Sequence, residues 1–431
     1  MKFQIFSLGC KVNIYESEAV CYDLIQKGLI QTDSNPDVII INTCTVTSQS
    51  DAKSRKLIRS KKEENPNAII VVMGCYSQLD PTTVSLKLDA DIVIGTNNRK
   101  KIYDLICKFK EEKDKINLVE DSKNYQVFEE LCLNRLSLHT RGFIKIQDGC
   151  ENFCSYCAIP YSRGPIKSRN PESIISEVKS LVSNGVKEII LSGINTGTYG
   201  KDLGNITLAM LIKRIIDEVP SLYRVRLSSI ELMEISAELL DVIENNQDKI
   251  ANHLHIPIQS GSDGVLKRMG RKYLMKEYFE KIDIIKNRFK DIAITTDCLA
   301  GFVGETEEEF LETCRSFEKI GFAEAHIFPY SIRPNTKAFN MPNHLRPELI
   351  KARAKQLQSL SKELSRQYKE KFIGMKMDVL FEQNKKGYWY GHTSNYLEVK
   401  VKDENMDLTN QVLKVELISL EQDTIIGKEV K

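Results

Sequence analysis

Three cysteines in the stretch Gly149-Cys150-Glu151-Asn152-Phe153-Cys154-Ser155-Tyr156-Cys157 stand at C-x3-C-x2-C spacing, with an aromatic before the third. The apolar run 142–146 leads into them, and Pro160, Gly164 and Pro165 close the loop without a further Cys or His. Three thiolates on one short loop suit an iron–sulfur cube, which ordinarily takes four cysteine ligands. With no fourth cysteine nearby, one iron would stay open to a non-protein ligand, as catalytic metal sites keep a position free. Zinc is the alternative, although its C-x2-C pairs usually recur with a second Cys or His pair.

Elements able to position this loop surround it. Residues 139–373 repeat a strand–helix unit six times, with strand candidates at 143–146, 188–191, 225–227, 254–258, 292–295 and 325–328. The helical pattern from Pro171 to Asn184 has proline near its start and Gly185 after its end, the usual asymmetry. Six such units predict a parallel barrel or part of one, with chemistry at the carboxyl ends of its strands. The cysteine loop falls at the end of the first. Other strand ends are polar and glycine-rich: Ser192-Gly193-Ile194-Asn195, Gln259-Ser260-Gly261-Ser262 and Gly301-Phe302-Val303-Gly304-Glu305. Glycines there let backbone approach a ligand, and each taken alone is equally a turn. His253, His255 and Cys298 lie in strand patterns and read as structural.

A second cysteine set comes first in the chain. Runs at 3–8, 38–41, 69–73 and 92–94 are apolar and separated by helical stretches, which predicts an open parallel α/β sheet. The first three end in Gly9-Cys10, Asn42-Thr43-Cys44 and Gly74-Cys75. Ligands gather at the carboxyl ends of such strands, so Cys10, Cys44 and Cys75 can meet in a second three-thiol site. Burial as small hydrophobes is the competing reading, and it suffices for Cys21 and Cys107 in amphipathic helix patterns. Residues 108–137 are charged and weakly periodic, a connector with little core of its own; Cys132 within it has no assignment. After Gly374, strand patterns at 377–381, 388–391, 396–401, 412–418 and 424–426 predict a small antiparallel barrel.

The 431 residues have room for about two to four domains. Their 42% hydrophobic and 28% charged content is ordinary for a globular protein. No apolar run is long enough to span a bilayer, and Met1-Lys2-Phe3-Gln4-Ile5-Phe6 enters a strand without a signal-peptide core. A cytoplasmic location is expected. There, eleven cysteines argue for metal or catalysis over disulfides. A net charge of +2 demands no nucleic-acid partner. Residues 52–62 nevertheless hold six bases and no acid, with Arg55, Arg59 and Lys62 on one helical face, and 345–373 hold eight bases against three acids. A solvated helix face explains either cluster; together they permit a polyanion footprint. Lys385-Lys386-Gly387-Tyr388-Trp389-Tyr390 mixes basic and aromatic groups as single-stranded RNA binders do, while Trp389 equally suits a barrel core.

The Cys150–Cys154–Cys157 loop resembles the radical S-adenosylmethionine signature. With a cysteine-bearing first domain and a terminal barrel, the chain resembles the methylthiotransferases over essentially its full length; the last domain of that family is called TRAM. The resemblance implies a methylthiotransferase domain with connector at 1–137, a radical-SAM core at 138–373 and a TRAM RNA-binding domain at 374–431. In fold terms these are an open parallel α/β sheet, a partial (β/α)6 barrel and a small antiparallel β-barrel. The implied cofactors are two 4Fe–4S clusters and S-adenosyl-L-methionine. By the same resemblance, the cluster on Cys150, Cys154 and Cys157 reduces S-adenosylmethionine, and the 5′-deoxyadenosyl radical abstracts the hydrogen at C2 of an adenosine. The cluster on Cys10, Cys44 and Cys75 handles sulfur, which a second S-adenosylmethionine methylates. Tyr156 would pack on the cofactor adenine, Gly193 and Asn195 would match its amino-group loop, Gln259 would lie near the ribose, and Gly301 and Gly304 near the adenine. Val303 stands where proline is common, and Ile332, Asn335 and Lys337 depart from the family pattern.

Ser7-Leu8-Gly9-Cys10-Lys11-Val12-Asn13, Asn42-Thr43-Cys44-Thr45-Val46-Thr47 and Gln147-Asp148-Gly149-Cys150 resemble the MtaB branch most, which acts on N6-threonylcarbamoyladenosine beside the tRNA anticodon. The alternatives are the isopentenyladenosine branch and the ribosomal-protein aspartate branch, which has Pro-Lys where this chain has Lys11-Val12. From another class comes a non-catalytic iron–sulfur or zinc RNA-binding module, which the open three-cysteine loop opposes, because structural sites are normally closed. The implied partners are the tRNA anticodon stem-loop, an electron donor and a sulfur source, with no membrane. Arg55, Arg59, Lys62, Lys385, Lys386 and Trp389 are the candidate RNA contacts.

Overall fold

The computed structural model describes residues 1–131, 133, 140–403 and 406–430; Cys132 and the end of the expected connector lie outside the described residues. Strands β1 (Lys2–Ser7), β2 (Ile30–Gln31), β3 (Val38–Thr43), β4 (Ile69–Gly74), β5 (Ile92–Val93) and β6 (Ile116–Asn117) pair in parallel in the order β2-β1-β3-β4-β5-β6. β3 and β4 are buried along their whole length, which explains their unbroken apolar runs. Helix α1 (Lys11–Gln26) follows β1, and α2 (Ser48–Glu64) follows β3, capped by the Thr47 hydroxyl accepting from Ser50 N at 3.1 Å. The expected connector needs correction at its start. Residues Ile102–Glu112 are helical, and β6 extends the sheet inside the segment read as coreless. A two-residue strand is too short to leave a periodic signal.

The second layer is an arc of six parallel strands. β7 (Arg141–Lys145) is followed by a short hairpin of β8 (Gln147–Asp148) and β9 (Lys167–Ser168), then by β10 (Glu188–Ser192), β11 (Arg224–Leu227), β12 (His253–His255), β13 (Ala293–Ala300) and β14 (Glu324–Pro329). They hydrogen-bond as β11-β10-β7 and β12-β13-β14, and parallel bridges Val225–Ile250 and Ser229–His255 join the two halves. Among the described residues β7 and β14 do not pair, so the arc is open on one side. Ile189, Leu191, Val225 and Leu227 point outward into the core shared with the surrounding helices. The alternate residues Glu188, Ile190, Arg224 and Arg226 therefore line the concave side. His253 Nε2 and His255 Nδ1 each lie 2.9 Å from Thr295 Oγ1, the structural role their alternation suggested. β12 is shorter than the run 254–258, because Gln259 turns the chain at φ +60°.

Beyond the helix Pro347–Glu370, β15 (Lys376–Lys385), β16 (Tyr388–His392), β17 (Glu398–Lys402), β18 (Val412–Glu421) and β19 (Thr424–Glu429) close a five-stranded barrel. Its loop at 393–396 seals the amino-terminal mouth of the arc: Arg226 donates to the Thr393 and Ser394 carbonyls at 3.1 Å, and Tyr396 stacks on His253 at 4.9 Å. Trp389 is 7% exposed and packs with Val399, Val401 and Leu417 inside the barrel. The expectation of a base-stacking Trp389 is thereby corrected, since strand alternation turns its ring inward. Among the described residues no helix is long and apolar enough to cross a membrane. Trp389→Ala should cost about 3–5 kcal/mol by emptying part of this core, read as an earlier urea transition of the full chain; unchanged unfolding would contradict the burial.

Candidate active site

The C-x3-C-x2-C loop begins at Gly149, whose φ of +78° and lack of a side chain are both required. A Cβ there would stand 1.8 Å from the Pro165 carbonyl oxygen. The loop is then fastened on all sides. Asp148 Oδ1 accepts from Gly149 N at 2.8 Å, and Cys150 N donates to Gly164 O at 3.1 Å. Ser155 N donates to Met269 O at 2.8 Å, Ser155 Oγ to Arg268 O at 2.9 Å, and Ala338 N to Ser155 O at 2.7 Å. Cys150, Cys154 and Cys157 are half-buried on this turn. Burial, and then the neighbouring Cys154, pushes the Cys157 thiol up to about 12. Arg271 Nη1 donates to Cys154 Sγ at 3.6 Å while pairing with Glu231.

β1, β3 and β4 are adjacent, so three neighbouring strands each deliver one thiol at the same sheet end: Cys10, Cys44 and Cys75. Gly9 allows the approach, since a Cβ on it would lie 2.9 Å from both Cβ and Sγ of Cys44. Asn13 pins the strand ends together, its Nδ2 donating to Leu8 O at 2.7 Å and Thr43 O at 3.1 Å. Cys44 and Cys75 are buried and Cys10 is exposed. Burial, then Cys75, pushes the Cys44 thiol up to about 11. Arg163, from just after the other cysteine loop, donates from Nε to Cys75 Sγ at 3.2 Å.

That arginine belongs to a fully buried charge network between the sheet and the arc. Glu16 of α1 pairs with Arg163, with Arg99 at 2.8 Å and with Lys145 at 2.8 Å. Lys145 also holds Asp148 at 2.6 Å, and Arg163 donates from Nη2 to Asn13 Oδ1 at 2.8 Å. Farther out, Arg333 pairs with Asp51 at 2.6 Å and contacts Thr45, beside Cys44. Sequence reading missed all of these, because the partners lie far apart in the chain and no local motif marks them. Burial alone would raise the Glu16 carboxyl, but Arg163, Arg99 and Lys145 outweigh it and hold it below the ordinary range.

The remaining candidates divide. Tyr156 meets Phe302 edge-on at 6.2 Å, in an apolar cluster with Val303, Met269 and Tyr330. Gly193 and Asn195 are drawn to the cysteine loop by Gln147: its Oε1 accepts from Asn195 N at 2.8 Å and its Nε2 donates to the Gly149 carbonyl at 2.8 Å. Gln259 sits across the arc, its carbonyl accepting from Leu299 N at 2.9 Å. Gly301 is required by its φ of +75° and by Ile350, whose Cγ1 would lie 2.8 Å from an added Cβ, and Gly304 N donates to Asn343 O. Of the basic residues, Arg59 and Lys386 are exposed, Arg55 lies over the Tyr76 ring at 5.8 Å, and Lys385 over Tyr390 at 5.4 Å. Lys62 is corrected as a free phosphate contact: it pairs with Asp91 at 3.3 Å and Asp89 at 3.7 Å.

Among the described residues no three His, Cys, Asp or Glu groups close on a single ion. Both cysteine sets are thiol-only, and a guanidinium donates to one sulfur of each. Such sets fit iron–sulfur groups, whose thiolates bind separate irons and take N–H donors from an outer shell. Asn195 Oδ1 is buried without a partner, so an acceptor waits there for a ligand's donor group, as the S-adenosylmethionine ammonium would supply. Glu16→Gln should cost about 3–5 kcal/mol by leaving three buried cations undercompensated. Because the folded carboxyl titrates below its unfolded value of about 4.3, Glu16 stabilises fully above that pH and loses the contribution as pH falls through the folded value. Urea unfolding from pH 6 down to acid should therefore show a shallower acid loss for the variant.

The Radical SAM superfamily matches residues 144–317, and the family described as Uncharacterized protein family UPF0004 matches residues 2–95. The chain is 39% identical to the threonylcarbamoyladenosine tRNA methylthiotransferase MtaB of Bacillus subtilis, over 96% of this chain and 92% of that one. The MtaB of Thermotoga maritima is 38% identical over 93% and 90%. A tRNA-2-methylthio-N(6)-dimethylallyladenosine synthase of Thermoanaerobacter pseudethanolicus is 39% identical over 88% and 82%. Among solved structures, the radical S-adenosylmethionine methyltransferase TsrM of Kitasatospora setae shares the fold, with a TM-score of 0.55 at 14% identity over 78% of this chain and 76% of that one. Two cysteine-bearing layers, a terminal TRAM-like barrel and full-length relatives agree: the chain belongs to the radical S-adenosylmethionine methylthiotransferases, enzymes that transfer sulfur-containing groups.

Proposed function

We propose that this enzyme methylthiolates C2 of N6-threonylcarbamoyladenosine next to the tRNA anticodon, with two 4Fe–4S clusters and S-adenosyl-L-methionine. The observation that carries the proposal is the pairing of two thiol-only sets across one buried charge network, with Arg163 against Cys75 on one side and Asp148 against Gly149 on the other. The substrate follows the B. subtilis and T. maritima relatives and the residues around Cys10 and Cys44. The T. pseudethanolicus relative keeps the isopentenyl (dimethylallyl) nucleoside as the second reading, at lower coverage.

The division of labour we infer assigns residues 1–137 to sulfur handling, 138–373 to radical generation and 374–431 to RNA. Cys150, Cys154 and Cys157 would hold one cluster and Cys10, Cys44 and Cys75 the other. When bound, the clusters and S-adenosylmethionine supply the one-electron chemistry and the sulfur and methyl transfer that no side chain here could. Asn195 would accept from the cofactor ammonium. Tyr156 would pack on its adenine within the cluster that includes Phe302, with Gly301 and Gly304 bounding that wall and Gln259 on the ribose side. The exposure of Cys10 leaves the auxiliary thiols open toward a macromolecular substrate. Arg55, Arg59, Lys385 and Lys386 are the cations placed for RNA phosphates. An electron donor and a sulfur source complete the reaction, which we place in the cytoplasm.

Nucleoside mass spectrometry of tRNA from a deletion strain tests the substrate: the 2-methylthio form of threonylcarbamoyladenosine should vanish and return on complementation. Cys154→Ala should abolish cofactor cleavage. Cys44→Ala should retain some uncoupled cleavage without sulfur insertion, and coupled product from that variant would remove the auxiliary-site assignment. Arg59→Ala should weaken tRNA binding and flatten its salt dependence by about one unit of log–log slope if the arginine neutralises a phosphate.

A further inference from the structure

The concave side of the arc carries charges that none of the chemistry above employs. Helix α1 lies against it, for Ile14, Tyr15 and Ala19 pack with Phe143 and Ile190 of β7 and β10. Lys11, one turn before Tyr15 on the same helix face, stands electrostatically among Arg141, Arg226, Glu188 and Asp297. Both acids are already committed. Glu188 pairs with Arg226 at 2.9 Å and Arg224 at 3.1 Å, and Asp297 lies 3.3 Å from His255. No described group pairs with the Lys11 ammonium. Arg141 holds Glu382 of the terminal barrel through Nη2 at 3.0 Å, while its Nη1 is buried without a hydrogen bond, 3.9 Å from Glu188. The opposite wall, β14, exposes Glu324 and Phe328, so the concave side is reachable from solvent. An unpaired ammonium and one unspent guanidinium N–H in a partly desolvated recess form a site for an anion.

We infer that Lys11, backed by Arg141, binds the carboxylate of the threonylcarbamoyl group and so selects an anionic nucleoside over one with a neutral N6 substituent. The inference rests on the proposed threonylcarbamoyladenosine substrate and adds the residue that reads it. Lys11 follows Cys10 in the chain, so an anion held by its ammonium lies within about one lysine side chain and one nucleoside substituent of the sulfur-handling thiols. An isopentenyl group would leave the same donors desolvated and unpaired, and a site built for a polar group rejects the analogue that lacks it.

The test uses the full chain with its clusters and labelled anticodon stem-loop RNAs that differ only at the modified adenosine: threonylcarbamoyl free acid, its methyl ester, or isopentenyl. Wild type should bind the free acid about 10- to 100-fold more tightly than the ester, the range for one charged hydrogen bond. At unchanged iron content, Lys11→Gln should erase this preference and Lys11→Arg should retain most of it. Arg141→Gln, a second variant away from the thiols, should reduce it. A preference undiminished in Lys11→Gln or in Arg141→Gln overturns the inference and leaves the substrate reading standing. Tighter wild-type binding of the isopentenyl RNA than of the free acid overturns both.

Discussion

The seating of the first sheet against the arc depends on Glu16 being buried among three cations. Burying that carboxylate with Arg99, Arg163 and Lys145 is costly in isolation, and it is tolerated because each charge is met by an opposite one at hydrogen-bond distance. The contact fixes one geometry. Glu16 comes from the first helix, Arg99 from the end of the first sheet, and Lys145 and Arg163 from the two sides of the C-x3-C-x2-C loop. A shift of either layer would strand charges in a medium that cannot solvate them. The network therefore works as a register pin between the two thiol sets.

The thiol sets are built by opposite devices. Cys150, Cys154 and Cys157 share one short loop, which needs Gly149 to turn and Ser155 to anchor it. Cys10, Cys44 and Cys75 come from three strands, and only the parallel order β1-β3-β4 makes them neighbours. Arg163 is the physical link: its main chain ends the loop of the first set, and its guanidinium donates to a sulfur of the second. The terminal barrel takes a different part. By capping the amino-terminal mouth of the arc through Arg226 and His253, it closes the end opposite the cysteine loop and leaves the carboxyl rim free.

Much of this was legible in the residues. Spacing marked the C-x3-C-x2-C loop, unbroken apolar runs marked the buried strands, and a cysteine at the end of each of three such runs marked the second set. These signals are local, or repeat with the period of the element that carries them. The basic and aromatic tract at 385–390 shows the limit. Its composition suited RNA stacking, yet strand alternation turned Trp389 inward, and only the closed barrel decides which face of a strand is its core. Lys62 likewise shares a helical face with Arg55 and Arg59, but its ammonium is taken by acids from a later loop.

The sequence by itself determined which residues could ligate a cluster, the kind of layers that carry them, and the family to which they belong. The tertiary structure alone decided how the two sets face each other, which charges lie buried between them, and which ammonium is left unpaired on the concave side. The physical reason is range. Hydrophobic period and cysteine spacing are written within one element, whereas a buried ion pair such as Glu16–Arg163 or Asp51–Arg333 joins residues far apart in the chain and is specified only once both layers have folded.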